Sequence, residues 1–491
     1  MTEHIIHSIS RFLPEIVLTL TLVAAIVADL LLKERNRHVG RVVLAGLAVT
    51  ALLVWRQSGW NEAIFSGMVA VDPFAIFFKA LLLAGGVFIV LFSIQSRELE
   101  QNYGRIGEYY MLLTGVLLGM FLMVGATHLL LLYLAFELTS ISSYVLAGFT
   151  KSLRKSAEAA MKYLIFGAVS SGFLLYGMSL LAGVTGTLDY YGIRDALAGG
   201  VAQPAVLYVA LAMMILGFSY KIAVVPFHFW APDVYQGAPV TITTFLATAS
   251  KIAGFAVLIR FFRTAFGPSF ETGLAGDIPW NMILAVLAAL TMVIANLMAL
   301  WQENIKRLLA YSSVAHAGFI LMGLALLTDE GISAMMIYLA FYLFMNMGAF
   351  YVVMQVSHAT GTEEISGYAG LGHRSPFLGV AMAIFLVALA GFPPTAGFIA
   401  KVYIFGAAIS AGWIWLVALA GLATVVSLFY YIRVVRNMFL VEPAEGAGSF
   451  ECALPVKALL AALLLPVLLF GVWFTPVVTW ARHALQIFGL E

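Results

Sequence analysis

The sequence predicts an all-α polytopic membrane protein of about fourteen transmembrane helices, with two inverted five-helix repeats and broken helices 7 and 12. Three observations predict it. Of 491 residues, 62% are hydrophobic and only 10% charged, whereas a soluble domain carries roughly 25% charged residues. Apolar runs long enough to cross a bilayer recur from one end of the chain to the other. Two of those runs are interrupted by prolines close to a lysine. No soluble fold of this length hides so much apolar surface, so the solvent is lipid.

Composition also excludes other classes. A net charge of +1 gives no basic field for nucleic acid. The single cysteine, Cys452, rules out a disulfide framework and any paired-cysteine metal or iron–sulfur site. No glycine-rich dinucleotide fingerprint or phosphate-binding loop is visible, so the chain is expected to hold no cofactor of its own.

The expected spans lie at roughly 14–33, 41–57, 74–94, 109–126, 127–149, 157–183, 205–227, 240–262, 278–300, 304–327, 331–357, 376–411, 412–435 and 456–481. The first runs into the basic cluster Lys33, Arg35, Arg37 and Arg41. A cleavable signal peptide carries its charge ahead of a shorter apolar core, so this segment reads as a retained membrane helix. Loops between spans are short. Residues 1–108 hold three N-terminal helices, 109–265 and 278–440 the two repeats, and 441–491 a loop and the last helix.

Orientation follows from the excess of basic residues in cytoplasmic loops. With the N-terminus outside, those loops hold 15 lysines and arginines, among them Arg97, Arg105, Lys151, Lys306, Arg307, Arg374 and Arg433. The outer loops hold six: Arg11, Arg56, Arg194, Arg260, Arg263 and Arg482. The bias places both termini on the periplasmic side and requires an even number of spans.

Five lysines remain inside the spans: Lys79, Lys162, Lys221, Lys251 and Lys401. A charge at the bilayer centre costs about 2.5–3.5 kcal/mol. Lys79 and Lys162 sit near helix starts, where their stems are expected to snorkel to the headgroups. Lys221, Lys251 and Lys401 lie deeper, as do Glu137 and His316. Two readings compete. A buried pair such as Glu137 with Lys221 fastens helices together. A row of three lysines with one glutamate has cations in excess, which fastening does not explain and proton transport does.

The seventh span continues through Pro226, His228, Pro232 and Asp233 to Pro239, and the twelfth contains Gly391, Pro393, Pro394 and Gly397 before Lys401. Proline removes a backbone donor and clashes with the preceding turn, so both helices should break. At membrane depth a broken backbone survives only inside protein or beside a water-filled cavity. Breaks at corresponding positions of two halves mark the transport site of an inverted repeat. The two breaks are five spans apart, an offset that inverts topology. Two unrelated proline kinks are the alternative. His128 reads as a boundary residue, and His228 as either a cap of the broken segment or part of the path.

Three stretches carry a resemblance: Phe136-Glu137 through Tyr144 to Gly148, Pro226 through Asp233-Val234-Tyr235-Gln236-Gly237 to Pro239, and Asn304 through Lys306-Arg307 and Tyr311 to His316 and Gly318. They resemble the antiporter-like subunits of respiratory complex I, which are related to the large subunits of multi-subunit sodium/proton antiporters. The resemblance covers most of spans 4 to 13. Tyr235-Gln236-Gly237, and the run Phe392 to Phe398 leading to Lys401, look like the N type within that family. One departure is that Val240-Thr-Ile-Thr243 follows Pro239 where the N type usually has a further proline.

The resemblance implies proton-translocation roles for Glu137, Lys221, Lys251, Lys401 and His316. Glu137 and Lys221 would pair, Lys251 would connect, Lys401 would stand toward the exit, and His316 would join the halves. It also implies a bacterial inner membrane, other membrane-arm subunits as partners, and FMN, iron–sulfur clusters and quinone held by those partners. Protonated lysines about 7 Å apart repel by roughly 2.4 kcal/mol at an effective dielectric of 20. That matches the work of moving one charge through about 100 mV. A gradient-driven cation/proton antiporter and a purely structural membrane arm are the rival functions.

Overall fold

The computed structural model describes residues 2–32, 35–102, 106–200, 203–267, 279–443 and 448–490. Of the basic loop residues, Lys33 and Arg105 lie outside the described residues, as does the side chain of Arg35. Thirteen helices are long and apolar enough to span a membrane, and a fourteenth crossing consists of two shorter halves.

A short helix, α1 (Thr2–Arg11), precedes the first span. Then follow α2 (Leu13–Leu31), α3 (Arg35–Arg56), α4 (Pro73–Ile94), the short α5 (Arg97–Asn102), α6 (Ile106–Gly125), α7 (Leu129–Ala147) and α8 (Arg154–Thr185). Between α3 and α4 a small antiparallel hairpin pairs Glu62–Ile64 with Val69–Val71. Its turn uses Phe65, Ser66 and Gly67 at positive φ. The hairpin is tied to α1 by an Arg11–Glu62 ion pair of 2.7 Å. Neither α1 nor the hairpin forms an apolar run long enough to read as a span in the sequence.

The second part comprises α9 (Tyr190–Ala198), α10 (Pro204–Ile222), α11 (Trp230–Gly237), α12 (Val240–Ala247), α13 (Ala249–Phe261), α14 (Trp280–Ala299), α15 (Ile305–Ala325) and α16 (Asp329–Thr360). It ends with α17 (Leu371–Arg374), α18 (Pro376–Ala390), α19 (Ala396–Ser410), α20 (Ile414–Leu440), α21 (Leu454–Val472) and α22 (Thr475–His483). An apolar stretch of 18 residues in each of the segments Val240–Phe266 and Ile305–Ala325 is buried throughout, whereas those of α2, α3, α20 and α21 are buried to about a third or less and face lipid. Lys251 and His316 therefore stand at the centre of the bundle.

Both proline breaks are present. Helix α10 stops at Ile222, five residues short of the expected end, with Ala223 in the left-handed region at φ 55°. The ring of Pro226 would meet the carbonyl of residue 222 in a continued helix, so the chain turns before reaching it. The twelfth crossing divides into α18 and α19 around Gly391, at φ 88°. The peptide bonds before Pro226 and Pro394 are cis. Span eight is divided as well, at Thr248, where φ −117° and ψ −82° separate α12 from α13. The last span ends at Val472, and Thr475–His483 is a separate helix starting with Pro476 near its first turn.

Three cations were misassigned by span-end counting. Lys79 does not snorkel: it is 1% exposed and pairs with Glu15 at 2.6 Å, closing α4 onto α2. Arg260 is no outer-loop residue. It is buried and donates to both oxygens of Asp72, at 2.9 and 2.7 Å, and to the Val124 carbonyl at 2.6 Å. Lys306, expected in a loop, is buried on the first turn of α15, where it bonds Glu363 and the Ala238 carbonyl, each at 2.9 Å. Each burial is matched by a carboxylate, as a static charge requires. Lys162 does reach the surface region, pairing with Glu158 at 2.8 Å and Asp233 at 2.5 Å.

Candidate proton-transfer site

Lys221 is the penultimate residue of α10, at the end of the helix where the break begins. A cation is favoured at that end of a helix. Close packing holds it there: a Cβ on Gly254 of α13 would fall 2.7 Å from the Ile222 side chain and 3.3 Å from Lys221. The amine has no hydrogen-bond partner among the described residues and lies 5.1 Å from the Phe136 ring centroid. Glu137, the next residue of α7, does not form the expected ion pair with it. Instead Glu137 accepts a short hydrogen bond from Ser171 of α8, while its charge still acts on Lys221.

Lys251 sits three residues after the Thr248 break. Its amine donates to the Ser313 carbonyl at 2.7 Å and lies 2.6 Å from the Ser313 hydroxyl. Ser312, the preceding residue of α15, shares a 2.5 Å hydrogen bond with Tyr431. One turn on, His316 bonds Tyr338 through Nδ1 at 2.7 Å and Tyr431 through Nε2 at 3.4 Å. A string of polar groups therefore runs from Ser312 through Tyr431 and His316 to Tyr338, starting one residue from Ser313, the partner of Lys251. Sequence reasoning found Lys251 and His316 and missed the tyrosines, because a tyrosine in an apolar helix carries no mark of what its hydroxyl meets.

Lys401 lies in the second half of the twelfth crossing and reaches back to the first. Its amine donates to the carbonyl of Ala390, the last residue of α18, at 2.8 Å and to Thr424 at 3.3 Å. It also stands over the Phe319 ring at 4.8 Å from the centroid. Lys401 thus bridges the two halves of its broken crossing. A Cβ on Gly391 would fall 2.6 Å from the Lys401 side chain, at a backbone φ that already favours glycine. Gly391→Ala is expected to push the amine off Ala390 and to cost about 1–2 kcal/mol in backbone strain alone. A lowered thermal midpoint of the assembled protein in detergent checks this, and an unchanged midpoint contradicts it.

The proline breaks bring the row together without touching it directly. Pro226 and Pro232 flank a segment that holds the buried His228. Trp230 of the same segment donates from Nε1 to the Tyr220 carbonyl at 3.2 Å. Asp233 anchors the segment's far end, accepting from Lys162 and from Arg307, each at 2.5 Å. Burial alone would raise its carboxyl, but these two cations outweigh it and hold Asp233 below the usual carboxylate range. His128 caps α7, accepting from Leu130 N–H at 3.2 Å, as expected of a boundary residue.

A fourteen-crossing bundle with two broken helices and a buried row of basic groups defines an antiporter-like membrane protein. Residues 126–427 match the family model described as NADH:quinone oxidoreductase/Mrp antiporter, transmembrane. NADH-quinone oxidoreductase subunit N of an Anaeromyxobacter species is 44% identical, over 97% of this chain and 96% of that one. NADH-quinone oxidoreductase subunit N 2 of Chloroherpeton thalassium is 42% identical, over 98% and 95% respectively. A chain in the structure of respiratory complex I from Thermus thermophilus with bound aureothin superposes with a TM-score of 0.78 at 32% identity, covering 96% of this chain and 99% of its own. The chain belongs to the subunit N family of NADH-quinone oxidoreductases.

Proposed function

We propose that this chain is a proton-translocating membrane subunit of an NADH-quinone oxidoreductase, and that Glu137, Lys221, Lys251, His316 and Lys401 carry the protons. One observation supports this above the rest. Every other deeply buried cation among the described residues, Lys79, Arg260 and Lys306, is paired with a carboxylate. Lys221, Lys251 and Lys401 have none: their amines meet carbonyls, hydroxyls or an aromatic face. Structural cations are neutralised, because removing a buried partner costs several kcal/mol. An amine held among neutral groups is equally at ease without its proton, which a carrier requires and a fastener does not.

In this reading protons reach Lys221 or Lys251 from the side rich in basic loops, and repulsion drives them along the polar string to His316 and Lys401. Residues 109–265 and 278–440 act as two inverted repeats, each with a broken helix. The chain sits in a bacterial inner membrane with both termini periplasmic, beside other antiporter-like subunits. Redox chemistry belongs to partners that hold FMN, iron–sulfur clusters and quinone. A gradient-driven antiporter of the Mrp kind, which the family model also covers, is less well supported than full-length likeness to subunit N. The test is to isolate the tagged chain in mild detergent and assay NADH-dependent quinone reduction. The activity is expected to accompany the chain, and recovery with antiporter subunits but no such activity overturns the reading.

A further inference from the structure

The polar string explains how a proton leaves Lys251 and not how one arrives. Helix α12 answers that. Thr241 and Thr244 of α12, Thr248 at the break and Lys251 of α13 follow one another at intervals of three, four and three residues. All four are buried, at 2% exposure or less. Thr244 donates to the Val240 carbonyl and Thr248 to the Thr244 carbonyl, each at 2.7 Å, so both hydroxyls point back toward the helix start. That start is occupied by a carboxylate: Glu98 of α5 accepts from the Val240 N–H at 3.3 Å. Tyr109 stands near the same end, donating to Thr241 at 3.1 Å and sharing a 2.7 Å bond with Ser93.

Glu98 is half-buried, between the exposed Arg97 and the buried Leu99, on the short helix α5 that joins α4 to α6. Its inner surroundings contain Lys306 of α15, Glu363 and Tyr109. Burial pushes the Glu98 carboxyl above the ordinary carboxylate range, against the pull of Lys306 and the Val240 N–H and with Glu363 adding to the rise. An acid so placed takes a proton from water nearer neutral pH than a surface carboxylate does.

We propose that Glu98 is the proton-loading acid of this subunit, taking protons from water and passing them along Thr241, Thr244 and Thr248 to Lys251. The carboxylate takes a proton, the hydroxyl row relays it with single waters between neighbours, Lys251 becomes an ammonium, and Glu98 returns to the carboxylate. Neighbours three and four apart on a helix have Cβ atoms about 5–6 Å apart, a span that one water bridges. The relay covers about 16 Å from Val240 to Lys251 at 1.5 Å per residue.

The inference rests on Lys251 being a proton carrier, so its test includes Lys251→Met. The intact complex carrying Glu98→Gln, Glu98→Asp, Thr248→Val or Lys251→Met is reconstituted in vesicles, and NADH-driven proton uptake is followed with a pH-sensitive dye across the pH range. Glutamine keeps an oxygen for the Val240 N–H but holds no proton. Glu98→Gln is expected to slow uptake by about tenfold or more, as loss of a proton-transfer group does, and to flatten its pH profile, while Glu98→Asp retains that profile. Thr248→Val is expected to slow uptake in a fold that keeps its shape, which preserves the test if Glu98→Gln fails to assemble. Wild-type rate and pH profile in Glu98→Gln, or wild-type rate in Thr248→Val, with Lys251→Met inactive, overturns the loading role alone. Wild-type uptake in Lys251→Met overturns the reading beneath it.

Discussion

Replacing Lys221 by alanine is expected to abolish proton pumping by the assembled complex while leaving the fold in place. The amine makes no hydrogen bond among the described residues and no ion pair, so its removal leaves no carboxylate without a partner. Glu137 keeps its bond to Ser171. The usual reason for a buried charge mutant to unfold is a counter-charge left alone, and it is absent here. What is lost is the protonatable group at the end of α10, between the Phe136 face and the broken segment. The measurement is NADH-driven acidification of inverted vesicles, normalised to the amount of complex in the membrane. A fall of about tenfold or more is expected, on the scale of a lost proton-transfer group. Wild-type pumping at normal complex content would refute the role.

The opposite behaviour is expected at Asp72. Its carboxylate is fully buried and makes four hydrogen bonds to three residues: it caps α4 by accepting from Ala75 N–H at 2.8 Å, binds both terminal guanidinium nitrogens of Arg260, and accepts from Phe488 N–H at 3.1 Å. The C-terminal segment, α4 and α13 are thereby tied at one point. Asp72→Ala strands a guanidinium that is 1% exposed. Breaking one side of a buried pair costs about 3–5 kcal/mol, and a lost helix cap adds about 1 kcal/mol. The variant is expected to accumulate poorly and to melt well below the wild type in detergent. A midpoint equal to the wild type contradicts this account of the pair.

These two residues also mark what sequence does and does not reveal in such a protein. Lipid forces runs of about 20 apolar residues, so the fourteen crossings were readable, and prolines announced the breaks after Ile222 and Ala390. The break at Thr248 has no such signal: neither glycine nor proline stands there, and only tertiary packing bends the chain. Depth separated Lys221, Lys251 and Lys401 from the loops correctly. It failed for Arg260 and Lys306, which lie near span ends yet are buried, because the carboxylates that make their burial affordable are far away in sequence, Asp72 by 188 residues and Glu363 by 57. Lys79 failed for the same reason, its partner Glu15 being 64 residues distant. Conversely, Glu137 and Lys221 were expected to touch, and the glutamate turns to Ser171 instead. Sequence locates the charges. Which of them lack a counter-charge, the feature on which the proposed carriers rest, is visible only in three dimensions.

The most direct measurement is the number of protons moved per NADH oxidised by vesicles holding the intact complex, with Lys221, Lys251 and Lys401 all changed to methionine. The account predicts a lower ratio, or a turnover that stalls because the coupled step has nowhere to place its protons. An unchanged ratio at unchanged turnover would mean that the three unpaired amines carry nothing.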